Sequence, residues 1–305
     1  MKKILTPKVK MKLKRDSQYY LLILPAVIYV LIFCYAPMYG VQIAFKDYKM
    51  SLGVFKSRWI GFQNFIDFFN SYSFWTLIRN TFALSLYSLV VGFPIPIIVA
   101  LIINELKGKF KKITQTILYA PHFISMVVLV GMVSTFFSPS SGFVNVILES
   151  LGMERIYFMG LPQYFRHLFV WSGVWQGMGW GAIVYIAALS GVDPSLHEAA
   201  SIDGATRLQR IRHINIPTIL PTIVIMLILR MGSLASVGHT KTYLMQNDLN
   251  VGVSEVISTY VYKRGMLYTN YSFASAIGLF NNVINIAFIL ISNTISRKVG
   301  ETSLF

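Results

Sequence analysis

Long apolar segments are the feature of this sequence that most restricts its possible folds. A helix needs about 20 consecutive apolar residues to cross the roughly 30 Å hydrocarbon core of a lipid bilayer. Six segments meet or approach that length, at residues 20–38, 77–103, 113–137, 168–189, 219–237 and 273–292. Lipid offers no partner for an open backbone hydrogen bond, so segments of this kind cross the bilayer as helices. We therefore predict an all-α integral membrane protein with six transmembrane helices.

The composition agrees with a membrane protein. Of the 305 residues, 55% are hydrophobic and 13% are charged, whereas soluble domains contain about 25% charged residues. The formal net charge of +15 would also be compatible with nucleic-acid binding. However, the basic residues stand beside the apolar segments, and no zinc-finger spacing or other nucleic-acid-binding motif accompanies them. We expect these charges to act at the lipid bilayer and not on nucleic acid.

The basic residues also predict the orientation in the membrane. With the N-terminus inside the cell, most of the 27 Lys and Arg residues fall in cytoplasmic loops and tails, as the positive-inside rule requires. A smaller group, which includes Lys241, falls in the predicted outer loops. The first apolar run is long and has no clear small-residue cleavage site, which disfavours a cleavable signal peptide. The prediction is a multi-pass protein of the cell membrane (plasma or inner membrane) with both termini in the cytoplasm.

These signals divide the chain into four parts. Residues 1–18 are predicted as a basic cytoplasmic tail, residues 19–45 as the first transmembrane helix, residues 76–292 as a transmembrane core and residues 293–305 as a cytoplasmic C-terminal tail. A polar loop at residues 193–221 interrupts the core between the fourth and fifth apolar segments. The core is therefore expected to present one folded segment to the cytoplasm.

Motifs for catalysis and for energy supply are missing from the sequence. No phosphate-binding G-x-x-x-x-G-K-[ST] pattern occurs, and the five histidines show no H-E-x-x-H spacing. Cys34 is the only cysteine, which excludes an intramolecular disulfide and a cysteine cluster for metal. The twelve Asp and Glu residues fall in predicted loops or at the ends of apolar segments. We predict a transport subunit and not an enzyme, with no catalytic residue, metal or cofactor of its own.

The polar loop at residues 193–221 has the sequence pattern of a helical hairpin. Asp193 and the proline after it match an N-cap followed by proline at the first helical position. Gly204 permits a sharp turn, and apolar residues then recur at helical spacing until Pro217 and Pro221, which are expected to end the second helix. Two interpretations remain open: an amphipathic loop lying on anionic lipid, or a rigid plug that enters a groove on a cytoplasmic partner.

The spacing of Glu198-Ala199-Ala200, Asp203-Gly204-Ala205, Ile214 and Pro217 resembles the EAA loop of binding-protein-dependent, ATP-driven (ABC) importers. Three further segments are similar to permeases of the LplB type, which are assigned to oligosaccharide or polysaccharide uptake. They are YAPHFIS at 119–125, WQGMGWG at 175–181 and SEVISTYVY at 254–262. The resemblance covers nearly the whole chain from about Tyr20.

This resemblance implies a type I ABC importer transmembrane domain with a cytoplasmic coupling helix. It also implies four partners: a second homologous permease, a dimer of ATPase subunits that binds ATP and Mg, an extracellular solute-binding protein and a carbohydrate substrate. The implied ATPase-coupling residues are Glu198, Ala199, Ala200, Asp203, Gly204, Ala205, Ile214 and Pro217. The missing phosphate-binding loop agrees with an ATPase on a separate chain.

Polar residues inside the apolar segments are candidates for the substrate pathway. An arginine near mid-bilayer costs about 2.5–3.5 kcal/mol on insertion scales, so Arg230 is expected to face protein or a water-filled cavity unless it reaches the headgroups. Asn281, Asn282 and Asn285 lie on roughly one helix face. Their amides could bind sugar hydroxyls, or they could pair with a neighbouring helix.

Aromatic residues of the fourth apolar segment are further candidates for substrate contact. Trp171 and Trp175 are four residues apart and would form a ledge for the apolar face of a sugar, with Gln176 beside them. Anchoring at the membrane interface and close helix packing are the alternatives. A secondary carrier or channel for a small polar solute is the alternative function, because it explains the apolar segments and Arg230 but not the hairpin.

Overall fold

The computed structural model describes residues 15–299. The chain begins with α1 (Ser17–Val30), which continues through a π-helical turn (Leu31–Tyr35), α2 (Ala36–Met38) and a 3-10 segment (Tyr39–Phe45). Strand β1 (Lys46–Asp47) pairs antiparallel with β2 (Arg58–Trp59). The later helices are α3 (Gly53–Lys56), α4 (Gln63–Phe69), α5 (Phe74–Gly92), α6 (Pro94–Glu105), α7 (Gly108–Tyr119), α8 (Met126–Phe136), α9 (Phe143–Ser150), α10 (Pro162–Leu189), α11 (Pro194–Ile202), α12 (Arg207–Arg210), α13 (Ile216–Met231), α14 (His239–Met245), α15 (Val251–Ser254), α16 (Ile257–Tyr262) and α17 (Tyr271–Val299).

The described residues form four continuous helical segments that are long and apolar enough to cross a membrane: Ser17–Phe45, Phe74–Glu105, Arg207–Met231 and Tyr271–Lys298. A fifth is reached if Gly108–Phe123 and Met126–Phe136, which are bent by 98°, form one broken span. The helical membrane class is thus confirmed, but the predicted count of six is not. The prediction of residues 1–14 and 300–305 as tails lies outside the described residues.

The fourth predicted segment corresponds to α10, which falls outside this set because of its composition. Its 28 residues extend about 42 Å at 1.5 Å per residue, which is long enough to span. Trp175, Gln176, Trp180 and several glycines, however, lower its hydropathy. The same small and polar residues allow close contact with other helices.

α10 lies at the centre of the bundle and packs against α5, α6, α7, α13, α14 and α15. Near its start, Phe165 and Phe169 are buried with Leu84 of α5. Near its end, Tyr185 and Leu189 are buried with side chains of α6 and α13. This arrangement places the middle of α10, where glycines replace large side chains, beside a cavity.

Candidate functional site

The first arm of the hairpin begins with the predicted cap. The Oδ1 atom of Asp193 accepts a hydrogen bond from the backbone N–H of Ser195 at 2.9 Å, and Pro194 is the first residue of α11. The same N–H lowers the pKa of the Asp193 carboxyl below its usual value. A carboxylate at a helix N-terminus is favourable for the helix dipole, so Asp193 defines where α11 starts.

The turn of the hairpin also forms from local residues. Gly204 has φ of +73°, as predicted for a sharp turn. The N–H of Ala205 bonds to the carbonyl of Ala200 at 2.8 Å, and that of Gly204 bonds to Ser201 at 3.2 Å, which is the Schellman pattern of a helix end. Arg210 of the second arm donates from Nη1 to Ser201 Oγ at 2.8 Å. The two arms are therefore tied together without help from other elements.

The second arm begins at a capping box. The side chain of Thr206 accepts from the backbone of Gln209, whose own side chain accepts from the backbone N–H of Thr206 at 2.7 Å. The backbone N–H groups of Thr206 and Gln209, which have no partner within the helix, are thereby hydrogen-bonded. Hydrogen bonds within the hairpin thus define both of its helix starts and its turn.

The surface of the hairpin combines acidic and apolar side chains. Glu198, Ala199 and Asp203 are exposed, whereas Ala200 and Ala205 are half-buried. Ile202 is 87% exposed and Leu208 is 74% exposed. Sequence reasoning missed Ile202 as a surface residue. The only available signal was a large apolar residue directly before a turn.

The structure corrects the prediction that Pro217 and Pro221 end the second helix of the hairpin. Both prolines lie inside one helical segment, Arg207–Met231. A π-helical turn, Ile211–Asn215, directly precedes α13, whose second residue is Pro217, and such local adjustments allow proline in membrane helices. The hairpin and the following apolar segment are therefore continuous.

Ile214 and Asn215 anchor the hairpin to the bundle. Ile214 packs against the buried group that contains Leu189 and Ile219. Asn215 is fully buried, and neither polar atom of its amide has a hydrogen-bond partner among the described residues. Buried amide groups are normally paired, so the amide of Asn215 is energetically unfavourable at the junction between the hairpin and α13.

A cavity of about 540 Å³ opens beside the middle of α10. Gln176 and Arg230, two of the predicted pathway residues, line it, and Arg230 is exposed there. Hydroxyl groups of four serines line it as well: Ser85, Ser88, Ser233 and Ser236. The cavity therefore offers both charged and neutral hydrogen-bonding groups.

Lys241 also lines the cavity, although sequence reasoning assigned it only to an outer loop between the last two spans. Its α14 is folded against the bundle, and the side chain is buried. Nζ donates to the carbonyl oxygen of Phe169 at 2.6 Å and lies 4.7 Å from the centre of the Phe169 ring. A polar residue shortly after an apolar segment is a weak signal, because the sequence does not show that the chain turns back inward.

The predicted tryptophan ledge lies outside this cavity. Trp171 and Trp175 are both exposed and are not among the residues that line it. The indole N–H of Trp171 donates to the Tyr87 hydroxyl at 3.1 Å, and that hydroxyl lies 2.8 Å from Nδ1 of His167. Substrate contact by the two tryptophans stays a prediction.

The three asparagines of α17 that were predicted as pathway residues are not equivalent. Asn281 and Asn285 are buried, whereas Asn282 is exposed. Asn285 accepts from the N–H of Ala235 at 2.9 Å and donates to Ser236 Oγ at 2.8 Å. Asn285 therefore positions the segment after α13 that lines the cavity. The Oδ1 atom of Asn281 has no partner among residues 15–299.

Gln176 has a second contact besides the cavity. Its Nε2 donates to the carbonyl oxygen of Ile124 at 2.8 Å, at the break between α7 and α8. Trp180 stacks on His122 with ring centroids 4.4 Å apart, and a side chain at Gly179 would overlap the carbonyl of Leu118. The segments at 119–125 and 175–181, noticed separately in the sequence, thus contact each other.

No group of three or more His, Cys, Asp or Glu residues is placed to hold a metal ion in the part of the chain that the structure describes.

Residues 92–301 match the protein family described as "Binding-protein-dependent transport system inner membrane component". The chain is 44% identical over 294 residues to Protein LplB of Bacillus subtilis, covering 96% of this chain and 92% of that protein. It is 38% identical over 295 residues to the polygalacturonan/rhamnogalacturonan transport system permease protein YteP of the same organism, with the same coverage of 96% and 92%.

Two solved structures show the same overall similarity. One is a bacterial ABC transporter involved in the import of the acidic polysaccharide alginate, with a TM-score of 0.88, 42% identity and coverage of 96% of this chain and 99% of that chain. The other is a bacterial alginate ABC transporter in complex with an alginate pentasaccharide-bound periplasmic protein, with a TM-score of 0.88, 41% identity and coverage of 96% and 99%.

Proposed function

The chain belongs to the family of binding-protein-dependent transport system inner membrane components, and from this premise we propose that it is one permease subunit of an ATP-driven importer of oligosaccharides or polysaccharides. The observation that carries the proposal is the similarity to the alginate importer chain over 96% of this chain. The name of YteP supports the same class of cargo. In this function the chain forms half of the membrane pathway and leaves ATP hydrolysis to a separate ATPase subunit.

The complex would contain four kinds of partner. A second homologous permease would complete the pathway, and a dimer of ATPase subunits would bind ATP and Mg. A solute-binding protein outside the cell would deliver the carbohydrate, which agrees with the binding protein in the related alginate complex. Both termini and the hairpin would face the cytoplasm, as the distribution of Lys and Arg favours.

The hairpin is the proposed contact with the ATPase. Ile202 and Leu208 expose large apolar side chains next to Glu198, on a support that its own hydrogen bonds make rigid. Apolar side chains of this size are suited to a pocket on a partner protein, where a few buried residues carry most of the binding energy. Glu198 would meet a basic group at the rim of that pocket.

The continuous helix links this contact to the cavity. The segment Arg207–Met231 has 25 residues, which correspond to about 37 Å. It starts in the hairpin and carries Arg230, a cavity residue, at its far end. When the ATPase dimer closes on ATP, a displacement of the hairpin would move the cavity wall with it. The cavity would thereby close to one side of the membrane and open to the other.

The experiment that tests this proposal changes only the exposed apolar surface of the hairpin. Ile202→Ser combined with Leu208→Ser is expected to lower the amount of co-purified ATPase, and the cargo-stimulated ATP hydrolysis, by about tenfold or more. Leu151→Ser is the matched control, because Leu151 is 70% exposed but lies far from the hairpin in sequence. Tagged chains are purified in mild detergent, and the partners are identified by mass spectrometry.

Two results would contradict the proposal. If the double variant retains normal ATPase recovery and normal sugar uptake, the hairpin is not the coupling surface. If the wild-type chain purifies without any ATPase and moves solute alone in liposomes, the chain is a self-contained secondary carrier or channel.

A further inference from the structure

The cavity beside α10 has an unbalanced charge. Its two charged lining residues are Arg230 and Lys241, and no Asp or Glu lines it within the described part of the chain. The four salt bridges found among residues 15–299 involve neither of them. A cavity that holds only positive side chains attracts anions and raises their local concentration.

Lys241 is the more informative of the two cations, because its ammonium group is held inside the protein. The residue is only 5% exposed. An ammonium group has three donors, and among residues 15–299 only one hydrogen bond uses them, the bond to the Phe169 carbonyl. A buried charge without a counter-charge is unfavourable unless something compensates it. A negative group on a bound ligand would compensate the charge and accept hydrogen bonds from the remaining N–H groups of the ammonium.

The neutral groups of the cavity match a sugar. Ser85 is 8% exposed, and its hydroxyl has no hydrogen-bond partner among the described residues. Ser88 of α5, and Ser233 and Ser236 after α13, supply further hydroxyls to the lining of the cavity. Hydroxyl groups both donate and accept hydrogen bonds, as sugar hydroxyls require. A cavity that contains a buried cation and several hydroxyl groups, of which that of Ser85 has no partner among the described residues, is a suitable environment for a carboxylate carried on a sugar ring.

We propose that Lys241 is a specificity-determining residue that binds a carboxylate of the cargo, and that the cargo is an anionic oligosaccharide built from uronic acids. Arg230, which is exposed and lines the same cavity, binds a neighbouring carboxylate of the same oligosaccharide. This inference rests on the proposed function, because it assigns the class of sugar that passes through the same permease.

The geometry of Gly173 allows the position of the ammonium to be changed without removal of its charge. A Cβ added at Gly173 would lie 3.0 Å from Lys241 Nζ, whereas a Cβ added at Gly177, one turn further along α10, would meet no atom within 4 Å. Nζ is the mobile end of a flexible side chain, so Gly173→Ala is expected to fold and to displace the ammonium. Gly177→Ala is the matched control on the same cavity wall.

The experiment uses the complete importer with its own binding protein in proteoliposomes. The probes are oligogalacturonides and oligoalginates, and the same molecules after chemical reduction of their carboxyl groups to alcohols. Lys241→Met, which keeps an unbranched side chain up to the position of Cε and removes the ammonium, is expected to lower ATP-driven uptake of the acidic probes about tenfold. Uptake of the reduced probes should stay near the wild-type value. Gly173→Ala should give a smaller loss for the acidic probes, and Gly177→Ala none.

The outcomes separate this inference from the proposed function. If Lys241→Met lowers the uptake of acidic and reduced probes equally, Lys241 has only a structural role and the inference is overturned. Preferential uptake of the reduced probes by the wild-type complex would also overturn it, while sugar import itself would stand. If the wild-type complex takes up neither kind of probe in an ATP-dependent manner, the proposed function fails first.

Discussion

Two proline-containing regions of this protein behave in opposite ways. At Pro121 the helices α7 and α8 are separated and bent by 98°. At Pro217 and Pro221 the helix continues without a break from Arg207 to Met231. Proline removes one backbone donor and crowds the preceding turn in both places. The difference must therefore come from the surroundings of each proline.

The break at Pro121 is supported by α10. Gln176 donates to the carbonyl of Ile124, which the break leaves without a helical partner. Gly179 has no side chain, which lets the backbone of Leu118 approach closely. Stacking between His122 and Trp180 covers the outside of the bend. A second element thus replaces the hydrogen bonds and packing that the broken helix loses.

The helix through Pro217 is supported from within. The N–H of Ile216 bonds to the carbonyl of Ile211, in the wide register of a π-helical turn. The hydroxyl of Thr218 donates to the carbonyl of Ile214 at 2.7 Å. Both bonds lie within the same helix, which stays continuous around the prolines. Proline therefore permits a break in a helix, but the available hydrogen-bond partners decide whether the break occurs.

The largest effect is expected for Gly179→Ala, which removes the space that the bend requires. A Cβ at this position would overlap the Leu118 carbonyl and force the two helices apart. We expect a loss of about 3 kcal/mol in the free energy of unfolding, which corresponds to a Tm lower by roughly 6 °C or more. The Tm is measured on the purified complex, with Gly177→Ala as the control. A normal Tm for Gly179→Ala would mean that the bend does not depend on this contact.

An intermediate effect is expected for Gln176→Leu. The substitution leaves the half-buried carbonyl of Ile124 without its partner, which costs about 1.5 kcal/mol. Hydrogen exchange should increase locally around residues 124–128, while the hairpin keeps its protection. Gln163→Leu, at an exposed position of the same helix, serves as the control. Equal exchange in the two variants would show that Gln176 does not hold the break.

The smallest effect is expected for Asn215→Leu, and it has the opposite sign. Leucine has the same number of side-chain heavy atoms as asparagine, and it removes two buried polar atoms that lack partners. We expect the free energy of unfolding to rise by about 1 kcal/mol. The exposed Asn282→Leu is the control, with a change near zero. A clear decrease for Asn215→Leu would show that the amide supports the π-helical turn.

Local features were predicted well from the sequence, and long-range features were not. Asp193 and Gly204 have the predicted roles, because a cap and a left-handed turn depend on a few adjacent residues. The cavity contact of Lys241 was missed, and the choice between sugar binding and helix pairing for Asn285 stayed open, because their partners are 72 and 50 residues away in the chain. The contact of Gln176 with Ile124 was missed for the same reason, at a separation of 52 residues.

The sequence by itself determined that this protein is a helical membrane protein with a polar, capped hairpin, because hydropathy, capping and turn formation act over one or two turns of the chain. Only the tertiary structure decided which proline breaks a helix, how many continuous spans result and which polar residues share the cavity. These features depend on hydrogen bonds and close contacts between distant segments, and in a bilayer those contacts are what satisfies each backbone and charged group that lipid cannot.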